Sequence, residues 1–378
     1  MLHKSFAPRA GWFGVVAVVA AVGLGGCSES STVAPEDDAV AIAATDLPSV
    51  VVTTSVLCDL TQQVAGDTIA LTCLMEPGQD PHTYQAKPSD RQAIDGAALV
   101  IYDGYDAAPN LLGLVNAAEA ATPKVAVYEV AVPEPLMGAA HDHDHGEGED
   151  PAHDAAHDDH GHGEAAAHDH AAEDGHGHEA EESLGGVAPT DAVPDPHIWH
   201  NARNNAAMVE VIAASLAEVN PTQASFYSAN ATQLAASFMA LDSWIKAQVE
   251  TIPVANRQLV TTHDSFQYFA DAYGVEVKGA LGGLSTSQRP SAKTLTDLVD
   301  QVKTFGVPAI FAESTTNPEL INAVANDAGV KVAEQPLFVE GPGALGSGAE
   351  TVQAMLIVNT CTIVNALGGT CAEATAPR

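Results

Sequence analysis

An α/β protein is predicted, with two halves of alternating strands and helices joined by one long helix. Three observations predict it. β-Branched runs alternate with helical patterns in both halves of the 378-residue chain, the pattern of parallel sheets covered by helices. A run over residues 222–250 keeps one apolar face along its whole length. Between residues 137 and 186 the rhythm stops, and no apolar periodicity remains.

The chain opens with "MLHKSFAPRAGW", carrying Lys4 and Arg9, and continues with the short apolar run "FGVVAVVAAVGLGGC". Residues 1–26 read as a secretory signal, too short and wrongly flanked for a stable membrane span. "LGGC", ending at Cys27, resembles a bacterial lipoprotein cleavage box and would leave Cys27 lipidated on a membrane. Ordinary cleavage nearby, releasing a soluble product, is the alternative. Residues 27–47 are polar and acidic and read as a tether.

Loss of the signal removes Lys4 and Arg9 and no acid, so 12 of the 14 bases remain against 49 acids. The formal charge of −35 argues against nucleic acid, whose phosphates need Lys and Arg. It suits a protein that handles cations, although acidity also serves solubility. Export makes disulfides the default for the even set Cys58, Cys73, Cys361 and Cys371. Proximity favours Cys58–Cys73 and Cys361–Cys371 among three pairings. A thiolate metal site is the runner-up, without a CxxC spacing to support it.

The first lobe is expected over residues 48–220. "PSVVVTTSVLCDLTQQVAG" opens as a strand and turns helical, and "TIALTCLMEPG" is a second strand ending in turn residues. "PSDRQAIDGAALVIYDG" gives a helix after Pro88 and Ser89, then a strand, and "KVAVYEV" gives another. Residues 137–186 hold no Lys or Arg and cannot bury enough surface to offset ordering, so a mobile loop is expected.

Asn220–Pro221 form a cap and first turn. Beyond them Tyr227, Ala231, Leu234, Phe238, Leu241, Ile245 and Val249 recur at steps of three or four. At ~1.5 Å per residue the run is on the order of 40 Å long, which suits a strut over residues 221–252. A second lobe follows over 253–378. Its strands are expected in "RQLVTT", "PAIFAES" and "VKVAEQPLF". Its helices are expected in "SFQYFADAYG", "TLTDLVDQVKTFGV", "NPELINAVANDAG" and "AETVQAMLIVNTCTIVNALGG".

Outside the signal and the loop, the histidines are His82, His197, His200 and His263. "DPH" occurs at residues 80–82 and again at 195–197. A Pro before each His fixes φ and keeps the preceding Asp extended, which holds an imidazole at a loop tip. Asp80 or Asp195 could accept the other ring N–H. His263 ends an apolar strand in "LVTTHDSF", where open α/β sheets place ligands. For a fourth, oxygen ligand, Glu340 in "PLFVEGPG" is preferred and Glu313 in "IFAES" competes. His200 is left out as exposed or peripheral, and Trp199 is assigned to the core or cleft wall.

These residues carry a resemblance. "DPHTYQAKPSD" (80–90), "DPHIWH" (195–200), "YSANA" (227–231) and "THDSFQYFADAYG" (262–274) are similar to motifs of the metal-specific solute-binding proteins of bacterial ABC importers. The similarity covers essentially the whole mature chain. An acidic His-rich loop between the two DPH motifs is typical of the zinc-uptake members. The resemblance implies two Rossmann-like (β/α) lobes joined by one long rigid helix, with a metal ion in the cleft. Carried over by position, the ligands are His82, His197, His263 and Glu340, with water as an alternative for the last. Manganese members have Glu where His263 stands and Asp at the last position, so Glu340 departs from the pattern.

Three imidazoles and one oxygen suit tetrahedral Zn²⁺, while Mn²⁺ prefers more oxygen ligands. The expected function is therefore capture of Zn²⁺ outside the cytoplasm and delivery to an ABC permease, with local loop movement or permease contact rather than wide opening releasing the ion. A manganese- or iron-binding member is the alternative. A second class is a zinc buffer or adhesin acting through His141, His143, His145, His153, His157, His160, His162, His168, His170, His176 and His178. Those residues are also expected to bind ions weakly as accessories in the leading reading, since each event must order the chain. No enzyme is expected: HExxH, GxSxG and a placed general base are all missing.

Overall fold

The computed structural model describes residues 47–119, 121–139, 192–287 and 290–377. The signal, Cys27, the tether up to residue 46 and the eleven histidines between 141 and 178 lie outside the described residues.

The first lobe is built on a parallel sheet of β1 (Ser49–Val52), β2 (Ala70–Cys73), β3 (Leu99–Tyr102) and β4 (Lys124–Ala126), in the order β2-β1-β3-β4. Both faces of β1 are covered. Val50 and Val52 join the main core and Val51 packs into a second cluster with Leu74, Ile94 and Leu111, which is why the strand reads as an unbroken apolar run. α1 (Ser55–Ala65), α2 (Pro88–Asp95) and α3 (Pro109–Ala117) connect these strands. Pro88 and Pro109 each sit in a first helical turn, where the missing N–H costs nothing.

The segment "KVAVYEV" is a strand only as far as Ala126; Val127–Ala131 winds into α4. The backbone N–H of Tyr128 donates to Asp103 O at 2.8 Å instead of continuing the ladder. The segment expected to be structureless from residue 137 also begins as a strand. β5 (Met137–Ala139) pairs antiparallel with β6 (Ala192–Pro194), forming a short two-stranded ribbon.

α5 (Ala202–Val219) follows, then a 3₁₀ turn at Pro221–Gln223 that runs into α6 (Ala224–Val249). The expected apolar stripe is buried along α6 from Tyr227 to Val249, with Leu234 half-buried. Its 26 residues make a rod of about 39 Å. It packs on α1 and α5 of the first lobe and on α7 (Gln267–Tyr273) and α10 (Val352–Ala366) of the second.

The second lobe pairs β7 (Gln258–His263) with β8 (Glu276–Gly282), and β9 (Ala309–Ile310) with β10 (Lys331–Val332), all parallel. Phe311 N–H donates to Val260 O at 2.9 Å and joins the two pairs. α8 (Ala292–Phe305) and α9 (Glu319–Ala328) cover this sheet. β8 was not evident in the sequence, where Lys278, Gly279 and Gly282 dilute its apolar character. One core runs from Val50 through Trp199, Phe238 and Phe269 to Leu367, and all described residues belong to one compact unit. The disulfides are Cys58–Cys73 and Cys361–Cys371, one in each lobe.

Candidate metal centre

The turn after β2 carries His82, the residue before the 3₁₀ turn Ile198–His200 is His197, and His263 closes β7. Glu340 lies in the loop after Leu337, which bridges to Glu313 in parallel. These four side chains, 115 to 258 residues apart from His82 for the distant three by number, meet within 4.8 Å of one another. All are buried, at 6, 0, 1 and 3% exposure in chain order. Gly341 allows the approach: its φ is +133°, and a Cβ there would overlap Ser55 Oγ of the first lobe.

His197 Nε2 lies 3.3 Å from His82 Nε2 and 3.2 Å from His263 Nε2. Glu340 Oε1 is 3.2 Å from His263 Nε2, and Oε2 is 3.7 Å from His82 Nε2. Behind the cluster, His197 Nδ1–H donates to Asp195 Oδ1 and His263 Nδ1–H to Glu313 Oε2, each at 2.8 Å. An ionised carboxylate only accepts, so in each neutral ring the proton sits on Nδ1 and the Nε2 lone pair faces inward. Lone pairs directed at one another beside a buried carboxylate need a cation between them. A tetrahedron with metal–nitrogen bonds of about 2.05 Å has edges of about 3.3 Å, close to the observed nitrogen separations.

The charges packed around the cluster agree with a cation site. Burial pushes Glu340 upward, but His82 and His263 outweigh it and hold the carboxyl well below its usual range. Burial also opposes charge on His263, yet Glu313 and Glu340 raise its pKa well above the ordinary value.

The sequence-predicted residues separate into two layers. Glu340 joins the three histidines, while Glu313 stands behind His263 and takes both its ring N–H and, at 2.8 Å, its backbone N–H. Asp195 orients its histidine as anticipated. Asp80 instead accepts the backbone N–H of His82 at 2.9 Å and the hydroxyl of Thr286. Thr286, 206 residues from Asp80, left no mark in the sequence pattern.

His200 is not exposed: it is fully buried and stacked on Phe266 at 4.3 Å between ring centroids. Burial, with the nearby His197, lowers its pKa to about 3. An unfolded histidine takes its proton near ~6.5, so His200 favours the folded state above that pH and this contribution is lost as pH falls toward 3. The difference grows by ~1.4 kcal/mol per pH unit, or about 2 kcal/mol between pH 6.5 and 5. Chemical denaturation of chelator-treated protein should show His200→Leu losing less stability than wild type over that interval. Parallel losses in the two proteins would refute the assignment.

A buried pocket of three imidazoles and a carboxylate between two α/β lobes, spanned by one long helix, defines a solute-binding protein for a metal ion. Residues 50–366 match the family model described as ZnuA, zinc-uptake complex component A periplasmic, and the chain belongs to that family. It is 31% identical over 315 residues to the high-affinity zinc uptake system protein ZnuA of Paracoccus denitrificans, covering 82% of this chain and 90% of that one. It is 29% identical over 355 residues to the manganese-binding lipoprotein MntA of Halalkalibacterium halodurans, covering 94% and 98%. The solved periplasmic zinc-binding protein TroA of Treponema pallidum superposes with a TM-score of 0.68 at 25% identity, covering 85% of this chain and 99% of that one. The chain is therefore an extracytoplasmic metal-binding component of an ABC importer and not an enzyme. Among the described residues no helix is long and apolar enough to cross a membrane.

Proposed function

We propose that this chain captures Zn²⁺ through His82, His197, His263 and Glu340 and hands it to the permease of its importer. The observation that carries the metal choice is the inward convergence of three imidazoles on a single carboxylate, with His197 Nε2 3.3 Å from His82 Nε2 and 3.2 Å from His263 Nε2 and all four ligand atoms within 4.8 Å. That donor set favours four-coordinate zinc over oxygen-seeking manganese. Residues 48–220 and 253–378 act as the two jaws, with 221–252 as the strut that limits their motion. Cys27 carries a lipid anchor in this reading, and the histidines between 141 and 178 act as weak accessory sites that concentrate zinc near the cleft.

The manganese reading has its own support in the identity with MntA. Competitive titration of the mature protein with Zn²⁺ and Mn²⁺, beside a variant lacking residues 141–182, separates the readings. The proposal expects one tight site, preference for zinc by at least about a hundredfold in line with the metal-affinity order, and survival of that site after the deletion. Preference for manganese would favour the alternative metal. Loss of tight binding on deletion would move the function to the His-rich segment.

A further inference from the structure

One short stretch of the second lobe touches both histidine-bearing segments of the first. It begins where β8 ends, at Gly282, which pairs with His263 in the sheet, and it is fastened there by Asp264 N–H donating to Gly283 O at 3.0 Å. Two residues later Leu284, 5% exposed, lies flat on the backbone of Gly138. A Cβ on Gly138 would stand only 2.6 Å from Leu284 Cδ1. Gly138 belongs to β5, whose partner β6 leads directly into Asp195 and His197. Asp195 N–H donates to Leu136 O at 2.8 Å, which joins the ribbon to the His197 turn. Two residues beyond Leu284, the Thr286 hydroxyl donates to Asp80 Oδ2, while Asp80 Oδ1 holds the backbone N–H of His82.

We propose that Leu284 and Thr286 form a clasp that ties the His82 and His197 segments to the lobe bearing His263, and thereby sets the rate at which bound metal leaves. Neither residue supplies a ligand atom. Each acts as a positioning residue: Thr286 through the carboxylate that fixes the His82 turn, Leu284 through the ribbon that fixes Asp195. Opening the site moves His82 or His197 away from His263, and both movements break a clasp contact. The charge-assisted bond from Thr286 is of the stronger kind, and the Leu284 side chain is buried against Gly138.

The inference rests on the proposed four-ligand site, and the experiment distinguishes the two. Mature protein loaded with Zn²⁺ is mixed with excess chromogenic chelator, and the release rate is read for wild type, Thr286→Val, Thr286→Ser and Leu284→Ala. Melting temperatures are taken on the metal-free proteins. Thr286→Val should release zinc on the order of tenfold faster, matching a lost hydrogen bond to a charged group. Leu284→Ala should also accelerate release, while Thr286→Ser, which keeps the donor, should stay near the wild-type rate. A lower melting temperature with an unchanged release rate would mean ordinary structural support and would overturn the clasp. So would serine behaving like valine. Should Thr286→Val not fold, Leu284→Ala decides alone: wild-type release from it overturns the proposal. If wild type itself binds no zinc, the proposed site falls and the clasp with it.

Discussion

His263→Ala is expected to abolish tight metal binding while the protein stays folded. His263 contributes one of the inward nitrogens and is the second-lobe imidazole of the cluster. Without it His82, His197 and Glu340 remain, and the gap admits water in place of a nitrogen donor. The loss should exceed 10²-fold, because disturbing only the outer partner of a ligating histidine costs about 10–100-fold. Glu313→Gln provides that graded case. It keeps an oxygen that can accept the Nδ1 proton but removes the charge behind the ring, so affinity should fall within the smaller range. Calorimetric titration reads both variants. Thermal unfolding offers an independent check, since metal at a hundred times its dissociation constant stabilises by about 2.7 kcal/mol. That shift should vanish in His263→Ala and shrink in Glu313→Gln. A His263→Ala protein that still binds one ion tightly would place the site elsewhere.

The overall architecture was legible because strong local signals agreed with the tertiary result. The unbroken Val50–Val52 run is buried on both faces, and the α6 stripe is the seam that packs against both lobes. The weak places have physical reasons. β8 carries two glycines and a lysine, and its strand character comes from pairing with β7. The strand expected through Val130 stops at Ala126 because Tyr128 docks on Asp103 and buries its ring. In the site, the repeated Asp-Pro-His turns and the strand-end His263 were visible because geometry there is encoded within a few residues. The ranking of Glu340 over Glu313 came partly from resemblance, since both follow apolar segments. Only the fold shows that one faces the three nitrogens and the other faces the back of His263. Thr286 and the burial of His200 are tertiary facts that local pattern does not contain.

Trp199→Ala should produce the largest loss of stability and weaken metal binding with it. The indole is 2% exposed and lies 5.4–5.6 Å, centroid to centroid, from Tyr128, His197 and His200. Its Nε1–H donates to Val339 O at 2.9 Å, so a first-lobe side chain grips the residue just before Glu340. Truncating a buried tryptophan costs about 3–5 kcal/mol through lost contacts and the cavity left behind. The orphaned Val339 carbonyl adds about 1–3 kcal/mol unless water reaches it. For a chain this size that corresponds to a fall of roughly 10 °C in the melting temperature of metal-free protein. The same change loosens Glu340 and removes the wall beside His197, so affinity should drop although no ligand has been touched. Trp199→Phe separates the causes, because it keeps most of the packing and loses only the donor. It should recover most of the stability but less of the affinity, if the hydrogen bond to Val339 is what sets the position of Glu340. Equal recovery of both would assign the effect to packing alone. A stable Trp199→Ala protein with unchanged affinity would show that the two lobes hold Glu340 in place without this contact.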